Sequence, residues 1–465
     1  MDGVMRRSSD TIAAISTAVN EAGIAIIRIS GPEAIAIADR LFSAKKKDLR
    51  LSHVPSHTIH YGWILENGLV LDEVLVSVMR APRTYTTEDV VEINCHGGIM
   101  AVQKVLKAVL NGGARIADPG EFTKRAFLNG RLDLSEAEAV MELIRAENEY
   151  ALRNSIHQLQ GMLGEKITAV RKDILHACAR IEAALDDPEH YSLDGYTAEL
   201  SGNISAWKEE LATLSASYQN GRLIREGIKT VIIGKPNAGK SSLLNALAKE
   251  ELAIVTAVPG TTRDLIHENI NLGGITLKVI DTAGIRDTED VVEKIGVRRA
   301  EESAKEADLL LCVLDSTMEW DAGNERLVSY LKNKKAIILL NKTDLDQVLD
   351  RDAIRSRFGD VPVLPISALY GDGLEELEEV IRNMFFAGEL SFDGQVMITS
   401  LRQRESLERA QESLCLVEDG ILMEMPEDLL TIDLMNSAEA LGEITGESLR
   451  EDLVDEIFSQ FCMGK

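Results

Sequence analysis

Aromatic residues make up only 4% of this 465-residue chain, so it lacks the stacking platforms on which single-strand-binding proteins lay successive bases. Positive charge is also scarce, with 50 Lys and Arg against 76 Asp and Glu and a net charge of −26. A field of that sign disfavours tight nonspecific binding to phosphate backbones, so any RNA contact must be local or shared with a partner. The five cysteines, Cys95, Cys178, Cys312, Cys415 and Cys462, include no C-x-x-C pair. That spacing argues against a disulfide framework or a zinc site and suits a reducing cytoplasm. No uncharged apolar run reaches the roughly 18 residues of a membrane span, and none follows Arg6 and Arg7, so neither membrane insertion nor secretion is expected.

What is present is a 45% apolar chain long enough for about three domains. The pattern predicts a multidomain protein. An N-terminal α+β domain covers 1–118, a discontinuous α-helical domain covers 119–221 and 386–465, and an α/β P-loop domain is inserted at 222–385. In the first, β-rich runs at Ile24–Ile29, Val70–Met79 and Val90–Ile93 precede a helical pattern near 98–111. The turn Asn94-Cys-His-Gly-Gly98 reads either as a place where a ligand meets bare backbone or as a tight strand-to-helix turn with a satisfied His96. Beyond 119 a helical stripe runs through Ala137, Met141, Ile144, Leu152, Ile156, Leu159, Leu163, Ile167, Val170 and Ile174, with Gly161 and Gly164 separating two helices. Asp186-Asp-Pro188 ends it, because a residue before proline avoids helix. Helical signals return from Leu401 to Phe461. Neither helical block carries a core of its own, so the two should pack together around the insertion.

The insertion alternates apolar runs (Thr230–Ile233, Leu277–Ile280, Leu309–Leu314, Ala336–Leu340 and Val361–Ile366) with helical patterns, which predicts a parallel sheet buried on both faces. Polar motifs stand at the C-terminal ends of the runs, where open α/β sheets bind ligands. After the first comes Gly234-Lys-Pro-Asn-Ala-Gly-Lys-Ser-Ser242. Its glycines let backbone N–H groups and a helix N-terminus converge on one anion, Lys240 reaches the β/γ-phosphates, and the Ser241 hydroxyl reaches magnesium. Asp281-Thr282-Ala283-Gly284 would put a carboxylate near that magnesium and a glycine N–H near the γ-phosphate. Asn341-Lys342-Thr343-Asp344 offers a carboxylate to the N1–H and exocyclic amine of guanine, a pair that adenine lacks. Ser367-Ala368-Leu369 offers a backbone N–H to the guanine oxygen.

Four such motifs in this order resemble the translation-factor-like P-loop GTPases. On that resemblance Asn237, Ala238, Gly239, Lys240, Ser241 and Ser242 wrap the phosphates. Thr256-Ala257-Val258-Pro259-Gly260-Thr261-Thr262 is the first switch loop, with Thr262 closing on magnesium. Ile285 stands where small regulatory GTPases place a water-orienting glutamine, so another group must do that job. Asn237, the Gly-Thr-Thr-Arg-Asp264 segment, the Asp281-Thr-Ala-Gly-Ile-Arg286 run, Glu293-Lys-Ile-Gly296 and the final Phe461-Cys-Met-Gly-Lys465 sharpen the likeness. Along its whole length the chain resembles the MnmE (TrmE) family of tRNA-modification GTPases, within the TrmE-Era-EngA-YihA-Septin-like superfamily. The resemblance implies a homodimer whose GTPase domains meet. It further implies a potassium ion held by Asn237 with oxygens of Thr256, Val258 and Thr261, magnesium (Mg2+) held by Ser241 and Thr262, and Glu293 orienting the attacking water. A cation placed there would do what an arginine finger does elsewhere. Read without the resemblance, Glu293 is a solvated helix-start carboxylate and Asn237 a turn residue.

The same resemblance implies that the N-terminal domain dimerises and binds a 5-formyl- or methylene-tetrahydrofolate through Arg28, Glu92, Arg131 and Lys465. A carboxylate suits the pterin ring donors and cations suit the glutamate tail. It implies a cytoplasmic GTP hydrolase working with the flavin enzyme MnmG (GidA) in a heterotetramer or larger complex, through which FAD and tRNA arrive. Together they would place a carboxymethylaminomethyl or aminomethyl group on C5 of the wobble uridine. Cys462 reads as a reactive thiol or as a semi-buried tail residue, with no base beside it in sequence. Lys45-Lys-Lys47 is a solvated turn or a phosphate contact. A second reading of the whole is a nucleotide-gated binding module of the ribosome-assembly kind, which the acidic, helical C-terminal block disfavours.

Overall fold

The structure, a computed structural model, describes residues 10–46, 48–249, 267–280, 306–329, 331, 334–386, 396–448 and 451–464. Tertiary contacts divide the chain into two units. One comprises Met1–Ile144, His157–Glu209 and Glu405–Lys465, and the other Arg145–Ile156 and Glu210–Arg404.

In the first unit β1 (Ile12–Ile15), β2 (Ala25–Ser30), β3 (Phe42–Ala44), β4 (Thr58–Glu66), β5 (Leu69–Met79), β6 (Val90–Cys95) and β7 (Arg115–Ile116) form one sheet, in the order β3-β4-β5-β6-β2-β1-β7. All neighbours are antiparallel except β1 and β7. Alternate residues Ile27, Ile29, Val76, Val78, Val91 and Ile93 face a core that the helices Ala34–Leu41 and Ile99–Asn111 close. Strands β1 and β4 carry little signal of their own: β1 is Ile-Ala-Ala-Ile, and β4 mixes His60 and Gly62 among its apolar residues. Pairing with their neighbours decides them.

Helices of the same unit follow the sheet. Asp133 opens Leu134–Arg145 with a reciprocal cap: its carboxylate accepts from Ser135 Oγ (2.7 Å) and Glu136 N (2.8 Å), while Glu136 Oε2 accepts from Asp133 N (2.7 Å). The helix Met162–Asp186 packs along Glu427–Thr445, where Arg171 Nε donates to the Ala438 carbonyl at 3.0 Å. Leu134, Ala137 and Met141 share a core with Val454, Phe458 and Phe461. The two helical segments therefore bury one another.

Two helical expectations need correction. Gly161 (φ +84°) does separate helices, but Gly164 lies inside Met162–Asp186, buried where a side chain would strike the Asp133 carboxylate. In Glu149–Leu159 the expected apolar stripe is reversed, since Leu152 and Ile156 are exposed and Asn154 is buried. Asn154 Nδ2 donates to the Met397 carbonyl (3.1 Å) and Met397 N donates to Asn154 Oδ1 (2.9 Å), so a satisfied amide takes the inward position there.

The second unit holds β8 (Ile228–Gly234), β9 (His267–Leu272), β10 (Ile275–Ile280), β11 (Leu309–Asp315), β12 (Ala336–Asn341) and β13 (Val363–Pro365), in the order β13-β12-β11-β8-β10-β9. All pair in parallel except β9, which is antiparallel to β10. The sheet is therefore mixed, because Gly273 and Gly274, both with positive φ, form a tight hairpin turn and β9 is too polar to announce itself. Both faces are buried: Ile232, Leu311 and Leu339 pack into one cluster, and Val231, Leu310 and Ile338 into another. The chain leaves β8 first to one side and then to the other, so the C-terminal end of β8 sits at the topological switch point. Among the described residues no helix is long and apolar enough to cross a membrane.

Candidate functional site

At that switch point β8 ends in Gly234 and the helix Lys240–Lys249 begins after a short loop. Asn237 (φ +63°) and Gly239 (φ +97°) take left-handed conformations, which turn the loop back toward the sheet. A side chain at Gly234 would lie 2.6 Å from the Val313 carbonyl, and one at Gly239 would collide with the Asn341 amide. Lys240 Nζ folds across the loop and donates to the carbonyls of Gly234 (2.9 Å) and Lys235 (2.8 Å). Those neutral acceptors are the partners that phosphate oxygens would replace. Asn237, Ser241 and Ser242 are exposed, the last two in the first turn of the helix, the end at which the helix dipole favours an anion.

The other end of the site is tied to the first through Asn341, whose side chain is buried. Its Nδ2 donates to the Ala238 carbonyl at 2.9 Å, and its Oδ1 accepts from Ala368 N at 3.0 Å. One amide thus joins the phosphate loop to the loop after β13. Asp344 is exposed but anchored, with Oδ1 accepting from Ser367 Oγ at 2.6 Å, and Ser367 is itself fully buried. A carboxylate fixed through one oxygen is preset for a ligand with two adjacent N–H donors. Thr343 and Lys342 sit beside it, with Thr343 N donating to the Ile366 carbonyl at 3.2 Å and Lys342 (φ +69°) pairing through Nζ with Asp315 Oδ2 at 2.5 Å. Burial opposes the charge on Asp315, but Lys342 and Thr317 outweigh it and hold the carboxyl below its ordinary range. Asp315 was not selected by sequence; its only local signal is its place at a strand end. Leu369 is exposed next to Ala368. The sequence positions 256–262, 281–284, 285, 293 and 465 lie outside the described residues, as does position 47.

In the N-terminal domain the candidate residues also converge. Arg28 on β2 and Glu92 on β6 are registered neighbours, with Nε and Nη2 of the arginine 2.9 and 2.8 Å from Glu92 Oε1. The Arg28 guanidinium lies 5.6 Å from the ring centres of both Tyr85 and Phe122. Arg131 approaches the same Tyr85 ring at 4.8 Å and donates from Nη1 to the Tyr85 carbonyl at 2.7 Å. Tyr85 therefore links two residues from separate stretches of sequence, Arg28 and Arg131, and nothing local to it could have revealed this. Tyr85, Asn129, Gly130 and Arg131 line an open cavity of about 540 Å³ together with His57 and Arg83. Its size and its mix of ring, cations and amide suit a flat polar heterocycle with an anionic tail. In the same domain Arg125, almost fully buried, donates to Asp10 Oδ1 (2.6 Å), Glu121 Oε1 (3.0 Å) and Glu88 Oε1 (3.0 Å). Burial opposes the charges on Asp10 and Glu121, yet Arg115 and Arg125 hold both carboxyls below their ordinary values.

The C-terminal tail docks on this domain. Gly120 N donates to the Cys462 carbonyl (3.3 Å) and Ser16 Oγ to the Gly464 carbonyl (3.0 Å), placing the tail beside β1 and the helix that carries Phe122. Cys462 is exposed, and among the described residues no base is hydrogen-bonded to its thiol. His96 is exposed too and makes the satisfied turn: its Nδ1 lies 2.7 Å from Asp72 Oδ1, its N–H donates to Asp72 Oδ2 at 2.8 Å, and Gly97 fits against the Ala22 backbone. Lys45 lies over the Tyr61 ring, 5.3 Å from its centre.

Two family models match the chain. Residues 11–131 match the family model described as GTP-binding protein TrmE N-terminus, and residues 134–462 match the MnmE helical domain. The tRNA modification GTPase MnmE of Lachnoclostridium phytofermentans is 53% identical over 457 residues, covering 98% of this chain and 100% of that relative. Its counterpart in Listeria welshimeri is 49% identical over 461 residues (98% and 99%), and that in Bacillus subtilis 47% over 459 (98% and 100%).

Proposed function

The chain belongs to the MnmE (TrmE) family of tRNA modification GTPases, and from that premise we propose how its residues divide the work. It is a GTP hydrolase that acts in tRNA modification. The single observation that best supports guanine as the base is the tie built by Asn341, with Asp344 anchored on Ser367 at the sheet's C-terminal edge. Lys240 and the start of its helix would take the phosphates, and Ser241 with Thr262 the magnesium, which shields phosphate charge when bound. In our reading Asn237, with oxygens of Thr256, Val258 and Thr261, holds a potassium ion, and Glu293 orients the water that Ile285 cannot.

The finer assignment continues in the N-terminal domain. Arg28, Glu92, Arg131 and Lys465 would hold a tetrahydrofolate, Glu92 accepting from ring donors and the cations meeting carboxylates. We assign the product as a carboxymethylaminomethyl or aminomethyl group on C5 of the wobble uridine, made by a homodimer together with MnmG, which brings FAD.

Replacing one atom of Asp344 tests the base assignment. Asp344→Asn presents an amide N–H where a carboxylate accepted, so it should reject GTP and take xanthosine triphosphate, whose C2 carbonyl can accept. Competitive nucleotide titration of the full chain reads the switch. Retained GTP preference in the variant would remove Asp344 from base recognition.

A further inference from the structure

Within the helical domain, the hairpin of Leu401–Leu422 and Glu427–Thr445 carries more apolar surface than its core uses. The inward stripe of Leu407, Leu414, Leu430 and Leu434 is buried. A second stripe faces outward: Leu429, Ile432 and Met435 recur on one side of their helix, Leu416 lies on the other helix and Met423 in the turn that follows it, and all are exposed. At the tip Leu422 is 77% and Met423 74% exposed. This tip has a fixed form. Met423 N donates to the Asp419 carbonyl (3.0 Å), Glu424 N to Ile421 (3.1 Å) and Met425 N to Gly420 (2.9 Å), with Glu424 at φ +53°. Gly420 is buried there, where a side chain would lie 2.6 Å from Leu430.

The charge around this patch has one sign. From Gln411 to Leu449 the sequence has no Lys, Arg or His, against ten Asp and Glu. Three of the ten are paired to cations from outside that stretch: Glu418 to Lys208 at 2.6 Å, Glu443 to Arg409, and Glu447 to Arg171. Glu424, Glu427, Asp428 and Asp433, which flank the exposed stripe, make no ion pair among the described residues.

We propose that this tip is a docking surface for a partner protein presenting an amphipathic helix, apolar on one side and flanked by Lys and Arg. Leucine and methionine side chains can repack around such an apolar stripe, and the unpaired acids meet its cations and steer its approach. The same charge argues against the other occupants. A second copy of this hairpin would bring acid against acid, an anionic lipid surface would be repelled, and RNA would find no cation. The proposal is independent of the nucleotide and folate assignments.

The test uses the full chain and a dye-labelled synthetic helix of roughly 18 residues, with leucines on one face and lysines on the other, followed by fluorescence anisotropy. A matched peptide with glutamates in place of lysines is the control. Leu422→Gln with Ile432→Gln, and separately Glu424→Gln with Asp428→Asn, should each weaken lysine-peptide binding by about tenfold or more. Glu375→Gln with Glu379→Gln, which removes the same charge from another helix, should leave it within about twofold. Equal binding by all variants, equal binding of both peptides, or none to the wild type would overturn the proposal. So would sedimentation showing that the hairpin variants lower the oligomeric state, because the face would then belong to a second copy.

Discussion

Asn341→Ala should damage the nucleotide site more than its distance from any phosphate would suggest. The side chain is 2% exposed and spends both ends of its amide on backbone, Ala238 on one side and Ala368 on the other. Truncation leaves a buried carbonyl and a buried N–H without partners, each costing about 1–3 kcal/mol, and water entering the small cavity recovers part of that. A net loss of about 2–4 kcal/mol corresponds to roughly 30- to 1,000-fold in GTP affinity if the loops must be rejoined on binding. Part will instead appear as a lower unfolding temperature of the free protein. Asn341→Asp separates the two bonds: it keeps the acceptor for Ala368 N but sets an oxygen against the Ala238 carbonyl. Titration with a fluorescent GTP analogue, alongside thermal unfolding, measures both parts. Affinity within about threefold of wild type with an unchanged melting temperature would refute the claim that this amide holds the site together.

Arg125→Met should cost about 3–5 kcal/mol at neutral pH, because it leaves Asp10, Glu88 and Glu121 facing one another with Arg115 alone. Asp10 and Glu121 titrate below their ordinary 3.8 and 4.5 in the folded chain. Their stabilisation is therefore present above those values and lost as pH falls through the lower folded ones. Urea midpoints should converge for wild type and variant in acid; an equal gap at pH about 7 and about 3 would contradict the network. The potassium assignment expects faster GTP turnover in potassium than in sodium chloride at equal ionic strength, and identical rates would remove Asn237 from ion binding.

The parallel strands of the inserted domain were legible because burial on both faces leaves near-continuous apolar runs, and because chemistry at their ends leaves polar motifs such as Asn341 to Asp344. Strand β9 was not, since an edge strand needs only its partner and a Gly-Gly turn. The reversal in Glu149–Leu159 was hidden for a different reason: hydrophobicity cannot foresee that Asn154 will find both of its partners in the Met397 backbone. In the sites, the residues in contiguous motifs could be named from sequence. Tyr85 could not, because its role between Arg28 and Arg131 exists only once β2 and the loops after β5 and after the helix Glu121–Leu128 come together. Asp315 was equally silent until Lys342 folded onto it.

The most direct test of the functional account is nucleoside mass spectrometry of tRNA from cells that lack this chain. The account predicts that the C5 carboxymethylaminomethyl or aminomethyl wobble uridines disappear, and that they return with the wild-type chain but not with Asn341→Ala. Unchanged wobble uridines accompanied by a defect in ribosomal subunits would contradict it and point to a nucleotide-gated assembly factor.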